Sequence, residues 1–240
     1  MASQGPLAGD QWAFAPGAVK QGMAGASSLG QIVAIVGAES TGKSTLAREL
    51  ARVLQARGLS VALVTEALRD FCDQHGRTPR VDEQVAIAAE QSRRITEAAQ
   101  THRLVLADTT ALMIAIYSDL IFQDPSLYAE AERDHAQAAM TLLTALDLPW
   151  ERDGLIRDGP HVRVPVDTLV RQSLQRADVP YAVVAGVGVA RVQRAIEAVE
   201  HLLDAPARQA RAGQGTRWRW FCENCDDGEC EQHWLPRATP

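Results

Sequence analysis

With 240 residues, 46% of them apolar, the chain is long enough for one sizeable α/β core carrying a small appendage. A formal net charge of −6 works against a broad electrostatic grip on nucleic acid. No apolar run approaches a membrane span, and the opening MASQGPLAGDQWAFAPGAVK lacks the basic-then-apolar order of a secretory signal, so a soluble cytoplasmic protein is expected.

Residues 1–28 are rich in Gly, Ala, Pro and Ser, show no sustained period, and read as a flexible leader. From there the pattern alternates. IVAIV (32–36) predicts a short strand, GAESTGKST (37–45) follows it, and a helix is expected from about Ser44 to Arg57, ended by Gly58. SVALV (60–64) predicts a second strand, with Glu66 just beyond its end. DEQVAIAAEQSRRITEAAQ (82–100) predicts a long helix with Asp82 as its N-cap. RLVLAD (103–108) predicts a third strand ending in Asp108. SLYAEAERDHAQAAMTLLTAL (126–146) reads mostly as helix, with a fourth strand in TALDL (144–148). YAVVAG (181–186) predicts the fifth strand and ARVQRAIEAVEHLL (190–203) a closing helix. Continuously apolar strands separated by helices predict an α/β fold: a five-stranded, mostly parallel sheet with helices on both faces, spanning 29–205. PARQARAGQG (206–215) reads as a linker, and the tail over 206–240 is rich in cysteine.

The chemistry concentrates where strands end. From Gly37 to Ser44 the chain fits G-x-x-x-x-G-K-S, with strand, loop and helix in the order that a phosphate-binding loop needs. Gly37 and Gly42 let the backbone turn so that N–H groups converge on a β-phosphate. Lys43 can bridge β- and γ-phosphates, the Ser44 hydroxyl can ligate Mg²⁺, and the helix dipole faces the anion. The competing explanation is a glycine-rich turn with an incidental lysine; since Lys20 and Lys43 are the only lysines, Lys43 is the only one in the expected folded part. Asp108 is placed to hold the Mg²⁺ through water, or else to serve as a turn or N-cap carboxylate. Glu66, followed by Arg69 and Asp70, could take a proton from a substrate hydroxyl or hold a sugar, or simply begin a solvated helix.

DLPWERDGLIRDGPHVRVPVD (147–167) has two Asp-Gly steps, three prolines and three arginines, and reads as a long polar loop that could close over the site. Arg157 and Arg163 are its candidates for neutralising charge on a transferring phosphoryl group, against solvated surface arginines. In the tail, Cys222, Cys225, Cys230 and His233 form a C-x-x-C-x4-C-x-x-H array, four soft ligands within twelve residues, which suits a structural tetrahedral Zn²⁺ more than disulfides or an unstructured tail. Trp218, Trp220, Phe221 and Trp234 could shield it. Its acidic neighbours favour a protein partner over nucleic acid. Cys72 reads as a helix-packing residue.

Together GAESTGKSTLAREL, VTEALRDF, GRTPRVDEQVAIAAEQ, LADTTALMIAIYSDLIF, LLTALDLPWERDGLIRDGPHVR and AGVGVARVQRAIEAV resemble, in order and spacing, the ribosylnicotinamide kinase domain of NadR-type proteins over roughly residues 31–203. The combination of DTT after the third strand with DLPW-x-x-DG-x-x-R after the fourth carries the resemblance more specifically than the glycine loop. It implies a P-loop fold and phosphorylation of the 5′-hydroxyl of nicotinamide riboside with ATP and Mg²⁺, a step of NAD biosynthesis. By that resemblance Gly37, Glu39, Ser40, Thr41, Gly42, Lys43, Ser44 and Thr45 hold the ATP phosphates, and Asp108 sits at the Mg²⁺ and the reacting hydroxyl. It further implies that Trp150 and Asp153 lie beside the substrate, Arg157 and Arg163 on the closing segment, and AGVGVAR (185–191) beside the adenine. An indole face suits a flat pyridinium cation, although a tryptophan after a proline is also a common core plug. The catalytic base is left open among Asp108, Glu66 and Asp153. Ala67 stands where the family pattern often has a tyrosine, and the cysteine tail lies outside that pattern. The 36 residues before Gly37 hold no adenylyltransferase-type histidine pair, so adenylyl transfer is not expected. A kinase of another nucleoside or metabolite, or a non-catalytic ATP-binding regulator acting through the tail, are the alternatives.

Overall fold

The computed structural model describes residues 29–151 and 159–205. Its frame is five strands: β1 (Gln31–Val36), β2 (Val61–Val64), β3 (Leu104–Asp108), β4 (Met140–Thr144) and β5 (Tyr181–Val184). They lie in the order β2-β3-β1-β4-β5, and every neighbouring pair is parallel. Runs such as Val33–Val36 and Leu104–Ala107 are fully buried, as expected of parallel strands covered on both faces. All five carboxyl ends therefore meet one edge. β1, flanked by β3 and β4, ends where connections depart to opposite sides, the place where α/β sheets open a crevice.

The helices are α1 (Lys43–Ala56), α2 (Ala67–His75), α3 (Gln84–Thr101), α4 (Ala111–Phe122), α5 (Tyr128–His135), α6 (Arg163–Arg176) and α7 (Gly188–Leu203). α4 packs against α3, α5 and α6, so Ala111 through Ile116 are all buried. Each such leucine or isoleucine contributes roughly 2 kcal/mol of burial. Contacts divide the chain after Val199: the described residues through Val199 belong to one unit, and of the second only residues 200–205 are described. Among the described residues no helix is long and apolar enough to cross a membrane.

Four expectations are corrected. The fourth strand is MTLLT (140–144), not TALDL, and the helix expected over 126–146 stops at His135. Ala, Met and Leu favour helix by propensity, but a slot between β1 and β5 rewards a buried extended run more. Asp82 does not cap α3. It sits in a 3₁₀ turn, paired at 3.4 Å with Arg80, while the Glu83 carboxylate accepts the Arg80 amide at 2.8 Å and the Arg77 guanidinium. The long loop expected over 147–167 is helical from Pro160 onward, and Arg163 opens α6 instead of riding on a loop. Prolines suggested a loop, yet Pro160 and Pro165 occupy first-turn positions, where a missing N–H costs nothing.

His135 ends α5 at 2% exposure, its Nδ1 at 2.8 Å from Thr110 Oγ1 and its Nε2 at 3.0 Å from Thr141 Oγ1. Desolvation pushes its pKa down to about 4 from 6.5. The folded state thus favours neutral imidazole while the unfolded chain binds the proton more tightly. Its contribution is complete above pH 6.5 and is lost as pH falls towards about 4. The melting temperature should fall across that window by on the order of 5 °C more in the parent than in His135→Gln, as read by thermal unfolding at stepped pH.

Candidate functional site

At the end of β1 the backbone turns on two glycines. Gly37 has φ 144°, and a Cβ there would lie 2.2 Å from Thr144 Oγ1, so the loop rests directly on β4. Gly42, at φ 75°, precedes α1 and leaves it without a side-chain cap, and the first turn carries no acidic residue. The opening amides of α1 are therefore presented to whatever anion enters. Between the glycines, Thr41 is fully buried, its hydroxyl 2.7 Å from both the Ala38 carbonyl and the Thr144 hydroxyl. Lys43 Nζ donates to the Ala38 carbonyl at 2.8 Å, so the ammonium lies folded along the inside of its own loop. Ser40 Oγ donates to the Glu151 carbonyl at 2.7 Å and faces the Glu151 amide at 3.2 Å.

From below, the loop is held by Arg191. This side chain is only 5% exposed; it donates to the Thr41 carbonyl at 2.7 Å, to the Gly186 carbonyl at 2.8 Å and to Asp147 Oδ1 at 2.9 Å. Burial opposes ionisation of Asp147, but the Gly186 amide and the Arg191 guanidinium outweigh it and hold the carboxyl below its ordinary range. The loops after β1, β4 and β5 are thereby joined through one cation.

An open cavity of about 130 Å³ lies over this loop. One wall is Glu39 through Thr45 with Arg48; the other is Glu66, Arg69, Thr109, Met113 and Tyr117. The expected phosphate-loop residues and Glu66 therefore share one space. Glu66 lies 3.8 Å from the Arg69 guanidinium. Asp108 stands behind that wall at the end of β3, 5% exposed, its Oδ1 buried without a hydrogen-bond partner among the described residues. Its follower, Thr109, forms the surface and is held at φ 73°, a left-handed conformation rare for a β-branched residue and worth about 1–3 kcal/mol of strain.

Trp150 and Arg163 are not part of the cavity wall; Trp150 Nε1, Arg163 Nε and Arg163 Nη2 are buried without partners among the described residues. Asp153 and Arg157 lie outside the described residues, as do Cys222, Cys225, Cys230 and His233. Among the described residues no cluster of three or more His, Cys, Asp or Glu side chains forms a metal-binding group. Cys72 is buried in α2, as expected of a packing residue.

Sequence reading gave no role to Gln91, Thr109 or Thr144, and it placed Arg191 beside the adenine instead of beneath the loop. For two of them the signal was present. Gln91 falls on the buried stripe of α3 (Gln84, Ile87, Ala88, Gln91, Ile95, Ala99), and Arg191 on that of α7 (Arg191, Ala195, Ile196, Val199). A polar side chain at a core position needs a built partner, and here the partners are site loops.

A family model described as an AAA domain matches residues 32–191. Among solved structures, the NadR protein in complex with NR superposes with a TM-score of 0.61 at 18% identity, over 72% of this chain and 50% of that one. The NadR protein in complex with NAD and AMP-PNP gives 0.59 at 17%, over 72% and 49%. Thymidylate kinase from Ehrlichia chaffeensis gives 0.51 at 12%, over 73% and 100%. At these identities the likeness is one of fold, that of P-loop NTPases, and the chain spans about half the length of the NadR chains it matches. No curated protein matches the sequence.

Two substitutions test the loop. Arg191→Met should lower stability by about 2 kcal/mol in urea unfolding, because it strands the Thr41 and Gly186 carbonyls and Asp147. Gly37→Ala should cost a similar amount, about 2 kcal/mol, by forcing a Cβ against Thr144.

Proposed function

The chain belongs to the family of AAA domains, and from its phosphate loop and the wall facing it we infer that it transfers the γ-phosphoryl group of ATP to the hydroxyl of a nucleoside-like small molecule. One observation carries this: the cavity has two chemically different walls. The loop Glu39–Thr45 with Arg48 lies on one side, and Glu66 and Arg69 with Thr109, Met113 and Tyr117 lie on the other. Met113 and Tyr117 opposite the loop suit an organic acceptor better than water alone.

The resemblance in order and spacing supports nicotinamide riboside as the acceptor, with nicotinamide mononucleotide as the product. In this proposal Gly37, Glu39, Ser40, Thr41, Gly42 and Thr45 wrap the triphosphate with backbone amides and hydroxyls. Lys43 leaves the Ala38 carbonyl for the β- and γ-phosphates. The Ser44 hydroxyl and Asp108 Oδ1, which has no hydrogen-bond partner among the described residues, offer the hard oxygen donors that Mg²⁺ prefers, and the ion would neutralise phosphate charge. Glu66, on the cavity wall, orients the acceptor hydroxyl and accepts its proton. Trp150 and Asp153 are assigned to the acceptor and Arg157 and Arg163 to the transferring group. The Cys222, Cys225, Cys230 and His233 array is proposed as a structural zinc site that serves a protein partner.

A second acceptor class has its own support: Arg48 and Arg69 both line the cavity, which suits a nucleoside that already bears an anion. The two are separated by incubating the protein with ATP, Mg²⁺ and a panel of nucleosides and nucleoside monophosphates that includes nicotinamide riboside, with product followed by phosphorus NMR. Nicotinamide mononucleotide should accumulate, and Lys43→Ala should reduce its rate by about 100-fold or more with an unchanged melting curve. Transfer to a monophosphate alone would favour the second class; transfer to none of them would overturn the proposal. Elemental analysis of protein purified without chelator should find zinc bound to the chain, and finding none would remove the metal assignment.

A further inference from the structure

If the carboxyl edge is a phosphoryl-transfer site, as proposed above, its two candidate carboxylates need a fixed spacing from the phosphate loop, and we infer that Gln91 sets it. Gln91 lies on α3, fully buried and outside the cavity wall. Its Oε1 accepts the Ala67 amide at 2.7 Å, and its Nε2 donates to the Thr109 carbonyl at 3.2 Å. Both bonds leave its own helix, and each lands on the residue directly after a candidate carboxylate: Ala67 follows Glu66, and Thr109 follows Asp108.

Both attachment points require holding. Ala67 is the first residue of α2, and that helix has no side-chain cap; Gln91 supplies from a neighbouring helix an acceptor for one of its unsatisfied opening amides. Thr109 sits at φ 73°, a conformation that persists only when its surroundings impose it. Its amide donates to the Ile35 carbonyl of β1 at 3.1 Å while its carbonyl is taken by Gln91, so the peptide groups on both sides of the strained residue are tied. A primary amide offers a neutral acceptor and a neutral donor on one side chain, which is what this pair of bonds uses. Glutamate would keep the acceptor and lose the donor; methionine would lose both. Gln91 does not itself line the cavity and is a positioning residue, acting through the backbone that follows Glu66 and Asp108.

The test uses the full chain carrying Gln91→Met and Gln91→Glu. Each variant should keep a cooperative melting transition and bind ATP without Mg²⁺ within about twofold of the parent, while kcat for the acceptor found active falls by about 100-fold in Gln91→Met and KM for ATP stays level. Gln91→Glu, which retains the Ala67 contact, should fall between the parent and Gln91→Met. A folded Gln91→Met with parental kcat would overturn the inference. So would a loss of magnesium-free ATP affinity in proportion to kcat, since that marks general loosening. If the parent phosphorylates no acceptor, the transfer proposal fails alone, and Gln91 is judged by the gain in ATP affinity on adding Mg²⁺. A smaller gain in Gln91→Met supports positioning of Asp108, and an equal gain refutes it.

Discussion

Parallel pairing is the constraint from which the rest of the molecule follows. Five strands running one way bring all their carboxyl ends to a single edge, and the helix that follows β1 starts there with amides that no strand partner can satisfy. That edge gathers the phosphate loop after β1, Glu66 after β2, and Asp108 and Thr109 after β3. The choice of residues at the edge is then a matter of clearance. Gly37 passes so close to Thr144 that no side chain fits, and the hydroxyls of Thr41 and Thr144 fill what room is left.

Much of this was readable in advance because it is local. A β-branched run, a glycine pair, one lysine and a helix-forming sequence follow one another without interruption from Ile32 to Ala56, and strand, loop and helix formed as expected. Fold class, sheet size and most strand limits follow from the same short-range pattern. The errors lie where tertiary packing overrides local preference. Met140–Thr144 is helix-prone by composition and extended by position. ALMIAIYSDLIF, for which no element was read, is apolar on every side because other helices enclose the first half of α4, so its period carries no signal. Arg163 was assigned to a loop on the strength of prolines that the opening turn of α6 accommodates.

The ties that hold the edge were harder to see, since each spans a long stretch of chain. Arg191 reaches the Thr41 carbonyl from 150 residues away, and Gln91 joins loops 24 and 18 residues from itself. Both sit on helices behind the sheet edge, where a polar side chain in an apolar stripe is the only trace that sequence offers. The division of labour is physical. Backbone amides and strand-end side chains face the cavity, while helices one layer back hold the loops by their carbonyls and amides. These ties add to the support that Thr41 and Lys43 give the loop from within.

The contact between Lys43 and the Ala38 carbonyl bears on how an anion would arrive. An ammonium waiting in bulk water must shed its hydration shell when a ligand comes, and much of the attraction is cancelled by that loss. Here the group is already partly stripped of solvent and rests against a carbonyl dipole, so part of that loss is met before any anion arrives. The loop thus carries its own placeholder: an anion that engaged Lys43 would release the Ala38 carbonyl, and its departure would let that carbonyl accept the ammonium again.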